Sequence, residues 1–136
     1  MPDSVPASRK ECGQWGDDVL AALGVAQCRL AGISYGEFLS LNYALYAPRR
    51  VTKLVLLSPA ASFSALHRAF ITRIIVLSAL PLRFIVKGFL RWLSPYPLPE
   101  QVVAQFGAAF KHGKMALKVP PGVYRDDELK GLAMSV

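Results

Sequence analysis

The chain has 136 residues, of which 53% are hydrophobic and 18% are charged, and its formal net charge at pH 7 is +7. The length and composition indicate one globular domain with a hydrophobic core and exclude a low-complexity or repeat protein. The basic residues are scattered through apolar sequence without a recognisable nucleic-acid fold signature, and we therefore predict no nucleic-acid partner.

The first predicted element is a helix near the N-terminus. Residues 1–10 are polar and lack the apolar core of a signal peptide, which predicts a cytoplasmic location. Ser8 and Glu11 have the spacing of a capping box, so a helix is expected to begin here and to run to Leu23, where Gly24 ends it. The two cysteines of the chain fit neither a disulfide framework nor the spacing of a zinc site, and no metal is predicted.

A strand, a sharp turn and a second helix are predicted next. Residues 28–32 are mainly apolar, and the motif G-x-S-x-G follows at residues 32–36. Between a strand and a helix this motif forms a turn that exposes the serine hydroxyl to a substrate carbonyl, while Gly32 and Gly36 let the strand and the helix pass closely. Ser34 is therefore a candidate nucleophile, and a purely structural turn serine is the alternative.

Residues 51–58 predict a second strand. They read VTKLVLLS, a run that is apolar on both faces, as in a parallel strand buried on both sides. Strand, turn, helix and strand together predict a βαβ unit with a right-handed crossover, and therefore an α/β fold. The turn has neither the Lys-Ser/Thr pair of a phosphate-binding loop nor the G-x-G of a dinucleotide site, and we predict no cofactor.

Residues 15–63 resemble bacterial α/β-hydrolases of the carboxylesterase type. The stretches that carry this resemblance are DVLAALGV at 18–25, the motif at 32–36, LNYA at 41–44 and LVLLSPAA at 54–61. The resemblance implies a partial α/β-hydrolase fold, in which Ser34 is the catalytic nucleophile and the backbone N–H of Tyr35 is an oxyanion donor. Glu37 departs from the pattern, because the family usually has a second glycine there. Its side chain would either crowd the acyl site or point along the helix surface into water.

The resemblance also divides the chain into a partial core at residues 1–62, a helical cap-like segment at 63–122 and a return segment at 123–136, which leads toward a missing core strand. Residues 63–99 are apolar and basic without an acidic residue. Three basic residues lie four apart and would share one helix face: Arg83, Lys87 and Arg91. We predict that this segment packs as a cap. The alternatives are an amphipathic helix on an anionic membrane and a solvated basic face.

The resemblance implies that complete members of the family are longer, and that their triad acid, their histidine and their second oxyanion donor lie outside this sequence. The residues of this chain that would replace the missing base and acid are His67, His112, Asp126 and Asp127. Their simpler interpretation is as surface histidines and as a solvated turn or helix start.

Two functions are therefore predicted. The first is a serine hydrolase that acts on small apolar carboxylic esters through an acyl-serine intermediate, and that is impaired because the missing groups are not supplied. The alternative is a non-catalytic α/β-hydrolase fragment that binds apolar ligands or self-associates through exposed sheet edges.

Overall fold

The structure is a computed structural model that describes residues 5–58, 61–113 and 118–132. Its elements in chain order are α1 (Arg9–Ala22), β1 (Cys28–Ile33), α2 (Tyr35–Tyr46), β2 (Val51–Leu57), α3 (Arg68–Ala79), α4 (Arg83–Leu93), α5 (Glu100–His112) and α6 (Asp126–Leu129). They form two compact units. The core unit contains the described residues up to Ala65 and those from Lys118 onward, and the helical unit contains α3, α4 and α5.

The helix α1 begins and ends close to the predicted positions. Ser8 is its N-cap, and the Ser8 hydroxyl accepts a hydrogen bond of 3.1 Å from the backbone N–H of Glu11. The Glu11 carboxylate in turn accepts from the backbone N–H of Ala7. At the other end Gly24 has a φ of 67°, the left-handed conformation that commonly ends a helix. Local chemistry thus sets both ends of α1.

The strands β1 and β2 form a parallel two-stranded sheet in the described part of the chain, and α2 connects them. Leu30 lies opposite Leu54, and Gly32 lies opposite Leu56. The helix α2 contacts both strands, and α1 packs against α2. The predicted βαβ unit and the α/β fold class are confirmed.

The sheet is buried on one face. The apolar cluster on that side contains Phe38, Leu41, Tyr43, Ala44, Val51, Leu54, Val119 and Tyr124. On the other face the side chains of Ile33, Val55 and Leu57 are 65%, 51% and 53% exposed. Together with the exposed Ala31 they form what we call the open sheet face. The prediction of strands buried on both sides is therefore wrong for the described residues, because successive side chains of a strand alternate between its faces and α2 covers only one of them.

The helical unit packs around a small apolar cluster. Its buried residues are Leu77, Val86, Phe89, Leu90 and Val103. Arg83 and Lys87 of α4 share one helix face as predicted, and both form ion pairs with Glu100 of α5. None of the helices in the described part of the chain has the length and hydrophobicity of a membrane span.

A hydrogen-bonded ion pair joins α1 to α2 and to the loop before β2. The Asp17 carboxylate accepts from the Tyr43 hydroxyl at 2.9 Å and from the Arg50 guanidinium at 2.6 Å. The hydrogen bonds from Tyr43 and Arg50 hold the pKa of Asp17 below its ordinary value. Desolvation and the hydrogen bond to Asp17 raise the pKa of Tyr43 to about 12, so this hydroxyl remains a donor at neutral pH.

We expect Asp17→Asn to lower the melting temperature at pH 7, and the effect to shrink as the pH falls below about 4. The folded chain binds the Asp17 proton more weakly than the unfolded chain, so the charged carboxylate stabilises the fold above its unfolded pKa. This stabilisation is lost as the pH falls through the lower pKa of the folded state. Thermal unfolding across this pH range tests the prediction. The control is Asp18→Asn, because Asp18 is exposed and accepts from Gln14 of the same helix. An Asp17→Asn effect of constant size would contradict the prediction.

Candidate active site

The turn between β1 and α2 holds Ser34 in a strained backbone conformation. Its φ is 52° and its ψ is −122°, a region that residues other than glycine rarely adopt. The Ser34 N–H donates to the carbonyl of Leu57 at the end of β2 (3.1 Å), and the Ser34 carbonyl accepts from the N–H of Glu37 (3.0 Å). Ser34 is exposed. The turn therefore fixes the backbone on both sides of Ser34 and leaves the residue accessible, which is the arrangement that a nucleophilic serine requires.

The two glycines of the motif have different surroundings. A Cβ atom at Gly32 would lie 2.3 Å from the carbonyl oxygen of Gly36 and 2.6 Å from the backbone nitrogen of Glu37. Within the described part of the chain, a Cβ atom at Gly36 would have no other heavy atom within 4 Å apart from its local helix backbone. Close passage of the strand and the helix thus requires glycine at position 32, and no such requirement is visible at position 36.

Tyr35 is the first residue of α2. Its backbone N–H lies in the first turn, where helix N–H groups have no intrahelical acceptor, and its role as an oxyanion donor stays a prediction. The Tyr35 hydroxyl donates to the carbonyl of Val119 at 2.8 Å, and its ring packs on Phe38 with centroids 5.6 Å apart. Burial raises the pKa of Tyr35 above its ordinary value, which keeps the hydroxyl a donor. The side chain therefore anchors the residue that follows Ser34.

Backbone strain is concentrated near the carboxyl ends of the two strands. Among the described residues other than glycine, those with a positive φ are Ser34 (52°), Ser58 (48°) and Ala61 (65°). Strained residues of this kind persist where their surroundings hold them, and they cluster at functional sites. Ligands of open α/β sheets bind beyond the carboxyl ends of the strands. The strain therefore marks this edge of the sheet as the candidate site.

Glu37 does not point into water, so that sequence-based alternative is wrong. Its side chain is completely buried, and its Oε2 accepts a hydrogen bond of 2.8 Å from the Ser62 hydroxyl. Ser62 is also completely buried. Ser62 is not predicted from the sequence, where the one signal for it is its position directly after the family-like stretch at residues 54–61. Glu37 thus joins α2 to the chain that leaves β2.

The two histidines considered as replacement bases lie in the helical unit and are exposed. His67 is the N-cap of α3, and its Nδ1 accepts from the backbone N–H of Ala69 at 3.2 Å. His112 is the last residue of α5, where a histidine is favourable because it lies near the negative end of the helix dipole. The structure therefore gives His67 a capping partner and His112 a surface position.

Asp126 and Asp127 begin α6 in the core unit and are exposed. Asp127 accepts two hydrogen bonds from the Arg125 guanidinium, of 2.9 and 2.7 Å, and these hold its pKa below the ordinary value. Among the described residues of the core unit, none forms a hydrogen bond with the Ser34 hydroxyl, so neither aspartate is brought to Ser34. No group of three His, Cys, Asp or Glu side chains in the described residues is placed to hold a metal ion.

A strand, a strained serine turn, a helix and a parallel strand are the parts of an α/β-hydrolase core that carry the nucleophile. Two solved esterase structures from Bacillus subtilis share this fold with the chain. Naproxen esterase (carboxylesterase NP) matches with a TM-score of 0.84 and 27% identity, and carboxylesterase CesB (YbfK) with a TM-score of 0.80 and 26% identity. Each match covers 98% of this chain and 49% of the other. The chain therefore has part of the α/β-hydrolase fold.

The sequence relatives agree with the structural ones. Carboxylesterase YbfK of Bacillus subtilis (strain 168) is 28% identical over 146 residues, and the uncharacterized carboxylesterase nap of the same organism is 31% identical over 148 residues. Both matches include the whole of this chain but only 48% and 47% of the relatives, so the chain spans about half the length of the curated relatives it matches. No protein-family model matches it. The chain is a homologue of bacterial carboxylesterases and corresponds to a fragment of a carboxylesterase-like protein.

Proposed function

We propose that this chain carries the nucleophile of a serine carboxylesterase, and that Ser34 attacks the carbonyl of an ester to form an acyl-serine. The observation that carries the proposal is the backbone of Ser34, which is strained and exposed at the junction of a parallel strand and a helix. Such a turn directs a serine hydroxyl away from the sheet. The homology to carboxylesterases supports an ester as the substrate.

The chemistry assigns a role to each group in the turn. The Ser34 oxygen adds to the ester carbonyl, and the oxyanion that forms accepts a hydrogen bond from the backbone N–H of Tyr35. A base takes the Ser34 proton and returns it to the leaving alcohol, and water then releases the acid from the acyl-serine. No described residue of the core unit is bonded to Ser34 as that base. Losing a triad member costs a factor of about 10⁴–10⁶ in rate, so we propose that the chain by itself is impaired.

The helical unit is proposed as the cap that selects the substrate. Several of its apolar side chains are exposed, among them Ile75 at 62% and Phe84 at 71%. A surface of this kind favours a small apolar acyl or aryl group over a polar one. The helical unit is therefore proposed to favour small apolar esters.

Ester turnover by the purified chain tests this proposal. We expect slow hydrolysis of short p-nitrophenyl esters above the buffer rate, and Ser34→Ala should reduce it to the buffer rate because the nucleophile is removed. Ser64→Ala is the matched control, since Ser64 is an exposed serine of the same unit outside the turn, and it should retain the wild-type rate. Turnover that is unchanged in Ser34→Ala would contradict the proposal.

A non-catalytic fragment is the second candidate function. It is favoured by the lack of any hydrogen bond between the Ser34 hydroxyl and the described residues of the core unit. In that case the turn serves only the fold, and neither the wild type nor Ser34→Ala hydrolyses the esters.

A further inference from the structure

The first turn of α2 is tied to the chain that leaves β2 by two hydrogen bonds. The first joins the Ser34 N–H to the Leu57 carbonyl (3.1 Å). The second joins the Ser62 hydroxyl to the Glu37 carboxylate (2.8 Å). Glu37 follows Ser34 by three residues, and Ser62 follows Leu57 by five. The two bonds therefore attach Leu57 and Ser62 to the start of α2, and Ser34 itself forms the first of them.

Ser62 is held at a second point. Its carbonyl accepts from the backbone N–H of Tyr124 at 2.9 Å. The Tyr124 ring packs on Phe38 of α2 with centroids 5.8 Å apart, and its hydroxyl donates to Asn42 of the same helix. Ser62 is thus fixed between α2 and the segment that precedes α6.

The residue before Ser62 needs such support. Ala61 is buried and has a φ of 65°, a left-handed conformation that alanine rarely adopts and that persists only where the surroundings impose it. The next residue, Ser62, is hydrogen-bonded to Glu37 and to Tyr124, and these bonds restrain the chain directly after Ala61. A buried carboxyl group destabilises a fold unless it is hydrogen-bonded, so the bond from Ser62 offsets part of the cost of burying Glu37.

We propose that Glu37 is a positioning residue for Ser34: through the Ser62 hydroxyl it holds Ser62 and the strained Ala61 against α2, and it thereby fixes the surroundings of the nucleophile. The proposal rests on the proposed serine hydrolase function and deepens it. Glu37 itself does not react. Its loss is expected to lower the rate at which bound substrate or probe is attacked more than it lowers binding, because a small misplacement of reacting groups reduces the chemical step.

Two substitutions of Glu37 separate the hydrogen bond from charge and volume. Glu37→Gln removes the charge but keeps an acceptor oxygen for the Ser62 hydroxyl. Glu37→Met also removes the charge and keeps a similar volume, but it has no such oxygen. Ser62→Ala removes the donor with a minimal change of size, and it keeps the proposal testable if Glu37→Met does not fold.

The first readout is the reaction of the full chain with a fluorophosphonate probe, measured as kinact and KI. We expect Glu37→Gln to stay near the wild type, and Glu37→Met and Ser62→Ala to lose about tenfold in kinact with KI little changed. In the double variant Glu37→Met/Ser62→Ala the loss in kinact should be smaller than the product of the two single losses, since both substitutions remove the bond between Glu37 and Ser62. Equal kinact values in Glu37→Gln and Glu37→Met would overturn the proposal.

The second readout does not depend on activity. The amide proton of Tyr124, which is bonded to the Ser62 carbonyl, should exchange with solvent faster in Glu37→Met and Ser62→Ala than in the wild type and Glu37→Gln, while the amides of β2 stay unchanged. If the Tyr124 amide proton exchanged at the wild-type rate in all variants, the proposed role of the bond between Glu37 and Ser62 would be overturned. A wild type that the probe does not label would overturn the proposed function, and with it the catalytic importance of Glu37, even where the exchange data support the role of this bond.

Discussion

Gly32→Ala is expected to lower the free energy of unfolding by about 3 kcal/mol, the upper end of the usual cost of overpacking. The new Cβ atom would lie 2.3 Å from the Gly36 oxygen and 2.6 Å from the Glu37 nitrogen. Both are backbone atoms of α2, so no side-chain rotation relieves the clash, and either β1 or α2 has to move. Because Ser34 lies between them, its turn is displaced as well. Urea unfolding measures the loss of stability.

The other glycine of the motif supplies the control for this experiment. Gly36→Ala meets no described atom within 4 Å outside its local helix backbone, and alanine is the better helix former by up to about 1 kcal/mol. Its stability should therefore equal or slightly exceed that of the wild type. A Gly32→Ala protein as stable as Gly36→Ala would show that the close approach of β1 and α2 is not as the structure has it.

Self-association through the sheet is the second large expected effect. The open sheet face places Ile33 beside Leu57 and Ala31 beside Val55 in the register, and the strands β1 and β2 are the whole sheet in the described residues. Exposed parallel edges and apolar faces are templates for association. Sedimentation velocity should therefore show species larger than the monomer that grow with protein concentration.

One charge on this face is expected to reduce that association. Val55→Glu replaces a 51% exposed apolar side chain by one whose charge resists burial, and the apparent association constant should fall more than about tenfold. Leu23→Glu is the matched control, because Leu23 is 69% exposed at the end of α1 and lies outside the sheet. A wild type that is a monodisperse monomer at all concentrations, with a sharp unfolding transition, would contradict this prediction.

The elements that the sequence predicts correctly have local causes. The start of α1 depends on Ser8 and Glu11, three residues apart, and its end depends on Gly24 and the adjacent backbone hydrogen bonds. The serine turn depends on a five-residue motif between two apolar stretches. Such signals are complete within a few neighbouring residues, so they can be recognised without knowledge of the rest of the fold.

The features that cannot be predicted from the sequence depend on residues far apart in the chain. Glu37 is buried and accepts a hydrogen bond from Ser62, which is 25 residues away. Tyr35 is anchored by Val119, 84 residues away. The apolar run of β2 predicts burial on both faces, but whether a face is covered depends on which other elements pack there, and Val55 remains half exposed. The groups that would activate Ser34 are of the same non-local kind.

Labelling of the purified chain with a fluorophosphonate probe, with the modified residue mapped by mass spectrometry, tests most directly whether Ser34 is a nucleophile. We predict that the probe modifies Ser34, that labelling is lost in Ser34→Ala, and that heat-unfolded protein is not labelled. Two results would contradict this conclusion: a folded wild type that remains unlabelled, or a Ser34→Ala variant that is labelled as strongly as the wild type. Either result would leave the serine turn as a structural feature only.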